Sequence, residues 1–354
     1  MKKCLLIVLV SFIVLSCKTS DSAVLGQNEF VFQSVIIDTL FQDKISISAI
    51  VIDEKKVWYA ADNSRFGFYD FEKNTKVEKN NSVDNLKMEY RSIAKTAKHI
   101  FVLTVANPAV LYQVDKDDLT TKVVYKENHE KVFYDSMQFW NDSEGIAIGD
   151  PTADCFSIIV TRDAGKSWDK IPCNKLPKIV DGEAAFAASN TNIVVKGNKT
   201  WVVSGGKKAR VFYSGDKGKN WEVFETPIVQ GQKMTGIFTA DFYDSKNGFI
   251  AGGNYDALNQ NFGNKAITTD GGKTWQLEAE NEGFGYASCV QYVPKSNGKG
   301  LVSVGASGIY YSSDRGNSWK RLAEDSSLFT IRFIDEKTAI AAGKNKMIRL
   351  RFSK

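Results

Sequence analysis

An eight-residue phrase returns four times in this chain and limits what the chain can fold into. It runs Thr161-Arg162-Asp163-Ala164-Gly165-Lys166-Ser167-Trp168, then Ser214-Gly215-Asp216-Lys217-Gly218-Lys219-Asn220-Trp221, then Thr268-Thr269-Asp270-Gly271-Gly272-Lys273-Thr274-Trp275, and finally Ser312-Ser313-Asp314-Arg315-Gly316-Asn317-Ser318-Trp319. The shared form is Ser/Thr-x-Asp-x-Gly-x-Ser/Thr/Asn-Trp. Copies about fifty residues apart indicate a repeat architecture, in which each unit buries its apolar faces only against its neighbours.

The chemistry of the phrase is that of a hairpin turn. The aspartate can accept backbone N–H groups just downstream, the glycine supplies a positive φ, and the tryptophan opens the next strand with a large apolar face and one N–H to satisfy. Asp163, Gly165 and Trp168, with Asp216, Gly218 and Trp221, Asp270, Gly272 and Trp275, and Asp314, Gly316 and Trp319, therefore read as structural clasps. As acids or ligands they have no need of each other.

The phrase resembles the Asp-box, or bacterial neuraminidase repeat, which sits between the third and fourth strands of β-propeller blades. The stretches Phe139-Trp140-Asn141-Asp142, Gly145 to Pro151, and Gly182 to Thr191 are similar to exported bacterial relatives of the photosystem II assembly/stability factor family. Nearly the whole chain after residue 28 fits. The resemblance implies an all-β, seven-bladed propeller that binds protein or glycan. Asp-box propellers also include sialidases, endoglucanases and sortilin-like receptors, so the resemblance constrains the fold more than the function.

Residues 1–16 read as a leader: Lys2 and Lys3, an apolar core from Leu5 to Leu15, and a small-residue site ending before Cys17. A processing site that ends in cysteine resembles the lipobox of bacterial lipoproteins. Cys17 would then carry the lipid, residues 17–28 would be a tether, and 29–354 the propeller. The expected location is the bacterial cell envelope, lipid-anchored, in the periplasm or at the outer membrane or cell surface. Removing Lys2 and Lys3 takes the formal charge from +5 to +3, too little to argue for nucleic acid. The partners to expect are a protein or glycan and, through the lipid, a membrane; the expected state is a monomer.

The strands alternate polar and apolar residues between Gly, Asn and Asp turns. Blade one runs from Ser46–Ile50 through Val57–Ala60 and Gly67–Asp70 to Lys76–Glu78, and blade two from Tyr90–Ile93 to Lys122–Tyr125. Blades three to six end in the four clasps. After Trp319 only three strands remain, Leu328–Phe333, Thr338–Ala342 and Met347–Phe352. The unpaired stretch Phe30–Ile37 is the natural fourth and would close the ring, removing two exposed edges. This gives seven blades, with six or eight as the alternatives.

In this architecture the clasps lie on one face, and ligands are expected on the other. That second face would carry Asp150 and Asp154 in the turn after Gly145–Gly149. The long connection from Lys178 to Ser189 adds Glu183, Gly205 to Arg210 adds Lys207 and Arg210, and the amide-rich turn from Gly252 to Asn264 adds Asn254, Tyr255 and Asp256. These eight are the ligand-binding candidates, with Asp150, Glu183 and Arg210 foremost; ordinary solvated turns are the competing reading.

A glycoside hydrolase would need two carboxylates across a cleft, and Glu183 with Asp150 is the pair to test. The Arg-Ile-Pro phrase of sialidases is absent. The nearest approach to a dinucleotide fingerprint, Gly283-Phe284-Gly285, lacks its third glycine and lies in a β-repeat. His99 and His129 stand alone, which argues against zinc. No metal and no cofactor are expected. Cys155 and Cys173 are equidistant from Ala164 at a hairpin tip, so an exported protein could bridge them; bridged and free are both open. Cys289 reads as a buried thiol. The reading is a lipid-anchored propeller that binds or assembles proteins without chemistry of its own, with a glycan-active enzyme or carbohydrate binder as the alternative.

Overall fold

The computed structural model describes residues 31–82, 87–186 and 188–354. The leader and the tether, with Cys17, lie outside them. Apart from a single 3-10 turn at Cys173–Lys175, the regular elements among the described residues are all strands. Inner strands are apolar on both faces because each sheet is sandwiched between two others. Gly145–Gly149 and Gly248–Asn254 are buried throughout. Outer strands such as Thr75–Asn80 and Thr121–Glu127 carry lysines and glutamates into solvent.

The described strands form six hydrogen-bonded sheets. The second contains Tyr90–Lys95, His99–Thr104, Ala109–Asp115 and Thr121–Glu127, and the third runs from Tyr134–Phe139 to Asp169–Lys170. The fourth runs from Ile193–Lys196 to Glu222–Glu225, and the sixth from Cys289–Tyr292 to Lys320–Ala323. Each of these four sheets is an antiparallel meander. The fifth, from Thr235–Phe242 to Gln276–Leu277, gains two short inner strands, Gly205–Gly206 and then Glu183–Ala184.

The first sheet corrects the expected count from seven blades to six. Its order is Leu328–Phe333, Thr338–Ser353, Ser34–Asp53, Lys56–Ala61, Arg65–Asp70, Thr75–Asn80. The stretch expected to close a separate blade and the stretch expected to begin blade one are a single strand of 20 residues. Its first half pairs with Thr338–Ser353, from Ser34 opposite Ser353 to Ser46 opposite Lys344; its second half pairs with Lys56–Ala61. Register shifts between Gln42 and Ser46 bend the strand without breaking it. Two expected blades are thus one bent sheet, with Ile45, Ile47, Tyr59, Ala342 and Met347 packed inside the bend. The N-terminal and C-terminal strands do pair, so the ring has no open edge there.

Apolar clusters fill every gap between neighbouring sheets, and the clasp tryptophans belong to them. Trp168 packs with Phe101 and Leu103 of the second sheet, and Trp221 with Ile146 and Ile148 of the third. Trp275 packs with Trp201 of the fourth, and Trp319 with Phe249 of the fifth. Each turn closes as its residues dictate. In the first, Gly165 N–H donates to Thr161 Oγ1 at 2.9 Å, Ser167 N–H to Asp163 Oδ1 at 3.0 Å, and Ser167 Oγ to Asp163 Oδ2 at 2.7 Å. Trp221, Trp275 and Trp319 donate their indole N–H to the carbonyl of their own clasp glycine at 3.1, 3.0 and 2.9 Å.

Candidate functional site

The axis of the ring is closed by one short segment. Ser189, Asn190, Thr191 and Asn192 are buried, and the polar atoms of the first three reach inner strands around the ring. Ser189 Oγ donates to Ser288 O at 2.7 Å, while Ser189 O accepts from Arg332 Nη2 at 3.1 Å. Asn190 donates to Ile93 O and accepts from Met137 N–H, both at 2.9 Å. Thr191 and Thr239 hydroxyls lie 2.8 Å apart. Three residues thus touch five sheets, and the chain then begins the remaining one at Ile193. The long connection singled out in the sequence is a plug as well as a loop.

Above the plug lies a bowl of about 750 Å³. Its wall includes Arg91, Phe133 and Asp150, the stretch from Gly182 to Phe186, Lys233, Phe238, Tyr255, Leu258, Tyr286 and Phe329. These residues come from the inner strands or from the connections opposite the clasps. The wall is aromatic on one side: Phe186 stacks on Phe238 with centroids 4.1 Å apart, and Tyr286 stands edge-on to both Phe238 and Tyr255 at 4.8 and 5.1 Å. Phe186 can lie there because Gly205 has no side chain; a Cβ would fall 2.2 Å from its ring. Tyr255 and Leu258 are 51 % and 40 % exposed and form an apolar lip.

The sequence candidates separate into three groups. Asp150, Glu183 and Tyr255 line the bowl. Arg210 stands behind the wall: its Nε donates to Glu183 Oε1 at 3.0 Å, and its Nη2 pairs with Glu183 Oε2. Ser204 Oγ at 2.6 Å and Val180 N–H at 3.0 Å complete the shell of Glu183, whose side chain has no solvent exposure. Lys207 lies outside on the rim, its Nζ donating to Gly231 O at 3.0 Å. Asp154 is paired with Lys178, and Asn254 is turned onto Asp256 N–H at 2.9 Å; neither they nor Asp256 line the bowl. Cys155 and Cys173 form a disulfide with Cα atoms 5.5 Å apart, pinning the start of the long connection.

The sequence reading missed Asp135 and the aromatic residues other than Tyr255. Asp135 lies within an inner strand, Tyr134–Phe139, whose mixed Tyr-Asp-Ser-Met-Gln-Phe sequence does not mark it, and is completely buried. Neither of its oxygens has a hydrogen-bond partner. Burial and the neighbouring charge of Asp150 raise its pKa well above the usual carboxylate value, against the pull of Arg91. Asp150 is raised by burial to about 6, opposed by the 2.9 Å hydrogen bond from Ala185 N–H. The phenylalanines and tyrosines converge from different sheets, so no local pattern marks them. A second hollow, of about 530 Å³, lies on the clasp face by Asp216, Trp221 and Asp270; the carboxylates of Asp216 and Asp270 are already bound within their own turns.

Ring, clasps and bowl together define an Asp-box β-propeller. The BNR/Asp-box repeat family matches residues 266–277. Among solved structures, a YCF48 bound to a D1 peptide superposes with a TM-score of 0.64 at 12 % identity, covering 91 % of this chain and 96 % of that one. YCF48 from Cyanidioschyzon merolae gives 0.63 at 12 %, covering 90 % and 98 %. The RRP9 WD40 repeats give 0.65 at 11 %, covering 91 % and 100 %. No curated protein sequence matches. The chain is thus an Asp-box propeller resembling the photosystem II assembly factor YCF48.

Proposed function

We propose that this chain is an exported, lipid-anchored assembly module that holds a segment of a partner protein in its bowl and performs no chemistry on it. The observation that carries this is the chemistry of the bowl. A blind concavity of about 750 Å³ with stacked aromatic walls and an apolar lip suits a few side chains of an extended segment. The carboxylate that a hydrolase would use, Glu183, is neutralised by Arg210 in a buried bidentate pair. That one solved relative is a YCF48 bound to a D1 peptide is consistent with a peptide ligand.

The placement of the chain ends supports the tethering. Ser34 pairs with Ser353 beside the clasp face, where Lys320, just past the last clasp, donates to Gln33 O at 3.1 Å. A lipid on Cys17 would hold that face to the membrane and turn the bowl outward.

The test is capture of partners from a native cell envelope with wild type and with a Tyr255→Ala/Leu258→Asp double variant, both residues being exposed. Partners held by wild type and lost by the double variant support the reading. Partners held equally by both, or hydrolysis of aryl glycosides that a Glu183→Gln variant abolishes, would overturn it.

A further inference from the structure

The bowl has one wall that is short of a donor. Asp150 reaches it with Oδ1 fixed by Ala185 N–H. Behind Asp150, outside the bowl's lining, lies Asp135, fully buried; neither oxygen makes a hydrogen bond, though the Asp150 backbone N–H lies near enough to favour its charged form. Buried carboxylates are normally hydrogen-bonded or paired, because desolvating an unmatched one is strongly unfavourable. The neighbouring charges do not fill the gap. Arg91 gives its Nε to Glu89 Oε1 at 2.9 Å and makes no hydrogen bond to Asp135; Lys233 stands exposed on the rim, and Arg210 is taken up by Glu183. Glu183, the other acid in the wall, is already neutralised by Arg210, whereas Asp135 and Asp150 make no ion pair among the described residues and Arg91 acts on Asp135 only through space. Phe133, Phe186, Phe238, Tyr255 and Tyr286 complete the surroundings, and faces of this kind attract cations.

Resting on the reading of the bowl as a peptide site, we infer that its corner at Asp150, backed by Asp135, is a subsite for a lysine or arginine side chain of the partner segment. An ammonium or guanidinium there would supply the donors the pair lacks and stack against the aromatic wall. Specificity would come from the acids and affinity from the apolar lip.

The experiment incubates the immobilised full chain with pools of N-acetylated octapeptides, random except for a central Lys, Arg, acetyl-lysine or Glu and otherwise free of basic residues. Wild type is expected to retain the Lys and Arg pools about fivefold or more over the acetyl-lysine and Glu pools. Asp150→Asn, which can still accept from Ala185, should bring that ratio to about one; Asp135→Asn serves if that variant is unstable. Equal retention of all pools by wild type, or an unchanged ratio in both variants, overturns the subsite and leaves the peptide site standing. Retention of no pool overturns both. A free N-terminal amine as the true ligand would show as retention of non-acetylated pools whatever their central residue, and would likewise overturn the side-chain assignment.

Discussion

Ala164, Lys217, Gly271 and Arg315 hold the same place in the four clasps, and all are left-handed, with φ of 66, 60, 82 and 69°. The following glycine is left-handed too, so each clasp turns on two such residues in succession, of which only the second is constant in the sequence. What the glycine faces differs. A Cβ at Gly165 or Gly316 would meet the ring of Phe101 or Phe249 at 2.3 Å, whereas one at Gly218 finds nothing nearer than Trp221 at 3.5 Å. Gly165→Ala and Gly316→Ala should each cost about 3 kcal/mol, and Gly218→Ala only about 1–2, the left-handed penalty alone. Urea unfolding of the three variants checks the order. The clasp aspartates add an acid limit. Burial works against ionisation of Asp216 and Asp270, yet the N–H and side-chain donors of Asn220 and Thr274 bring both down to about 2. Their stabilisation is therefore complete above the usual 3.8 and is lost as pH falls toward 2. Asp216→Asn should flatten the acid limb of the pH–Tm curve without moving its alkaline limb.

Lys265 acts in the same sense on the alkaline side. It is fully buried, with Nζ donating to Asn264 Oδ1 at 2.6 Å and to Glu282 O at 3.0 Å, and it ties the lip segment to the next connection. Burial lowers it to about 8, against the pull of Glu280 and Glu282. Between about 8 and its ordinary 10.5 the unfolded chain binds more protons than the folded one, so stability rises with pH in that window. Buried tyrosines such as Tyr59 and Tyr134 act the other way above their ordinary 10.0. Wild type should thus gain about 1–2 kcal/mol from pH 8 to 10 relative to a Lys265→Met variant. Equal slopes in the two proteins would contradict the assignment.

Among the elements, the connection from Gly182 to Asn192 has the most to do. Its first part forms the bowl wall and its last part fixes the axis, so the two ends should respond differently to substitution. Asn190→Ala removes a donor to Ile93 and an acceptor for Met137 in a buried place and should cost about 2–4 kcal/mol. Gly205→Ala would press a Cβ on Phe186 and, at 2.8 and 3.0 Å, on the backbone of Thr235 and Gly236, so it should lower both Tm and peptide retention, read by calorimetry and capture on one preparation. The length of this connection was legible in the sequence as a sign of use. Its crossing of the axis was not, because Ser, Asn and Thr carry the same polar signature whether they face solvent or five neighbouring strands.

For the whole molecule, closure rests on the pairing of Ser34–Gln42 with Lys346–Ser353. Deleting residues up to 42 would bare the edge of the last strand and the apolar faces of Ile348, Leu350 and Phe352. Such a chain should associate in a concentration-dependent way by light scattering, whereas the full chain should not. The strands of the second blade and the four clasps could be read from residue order, since alternation and turn chemistry act within a few positions. The number of sheets could not. It depends on whether the strand from Ser34 to Asp53 breaks or bends, and on partners more than 300 positions away, such as Ser353 for Ser34.

What the sequence determined by itself is therefore the local part: clasps whose hydrogen bonds span four residues, strands with a period of two, and a cysteine pair placed symmetrically about one hairpin. The tertiary structure alone decided that six sheets form, that Arg210 neutralises Glu183, and that Asp135 comes to rest unpaired beside Asp150. The division follows from range. Turn and strand preferences are set by neighbours along the chain, whereas the charge and shape of the bowl arise from side chains that meet only once the ring has closed.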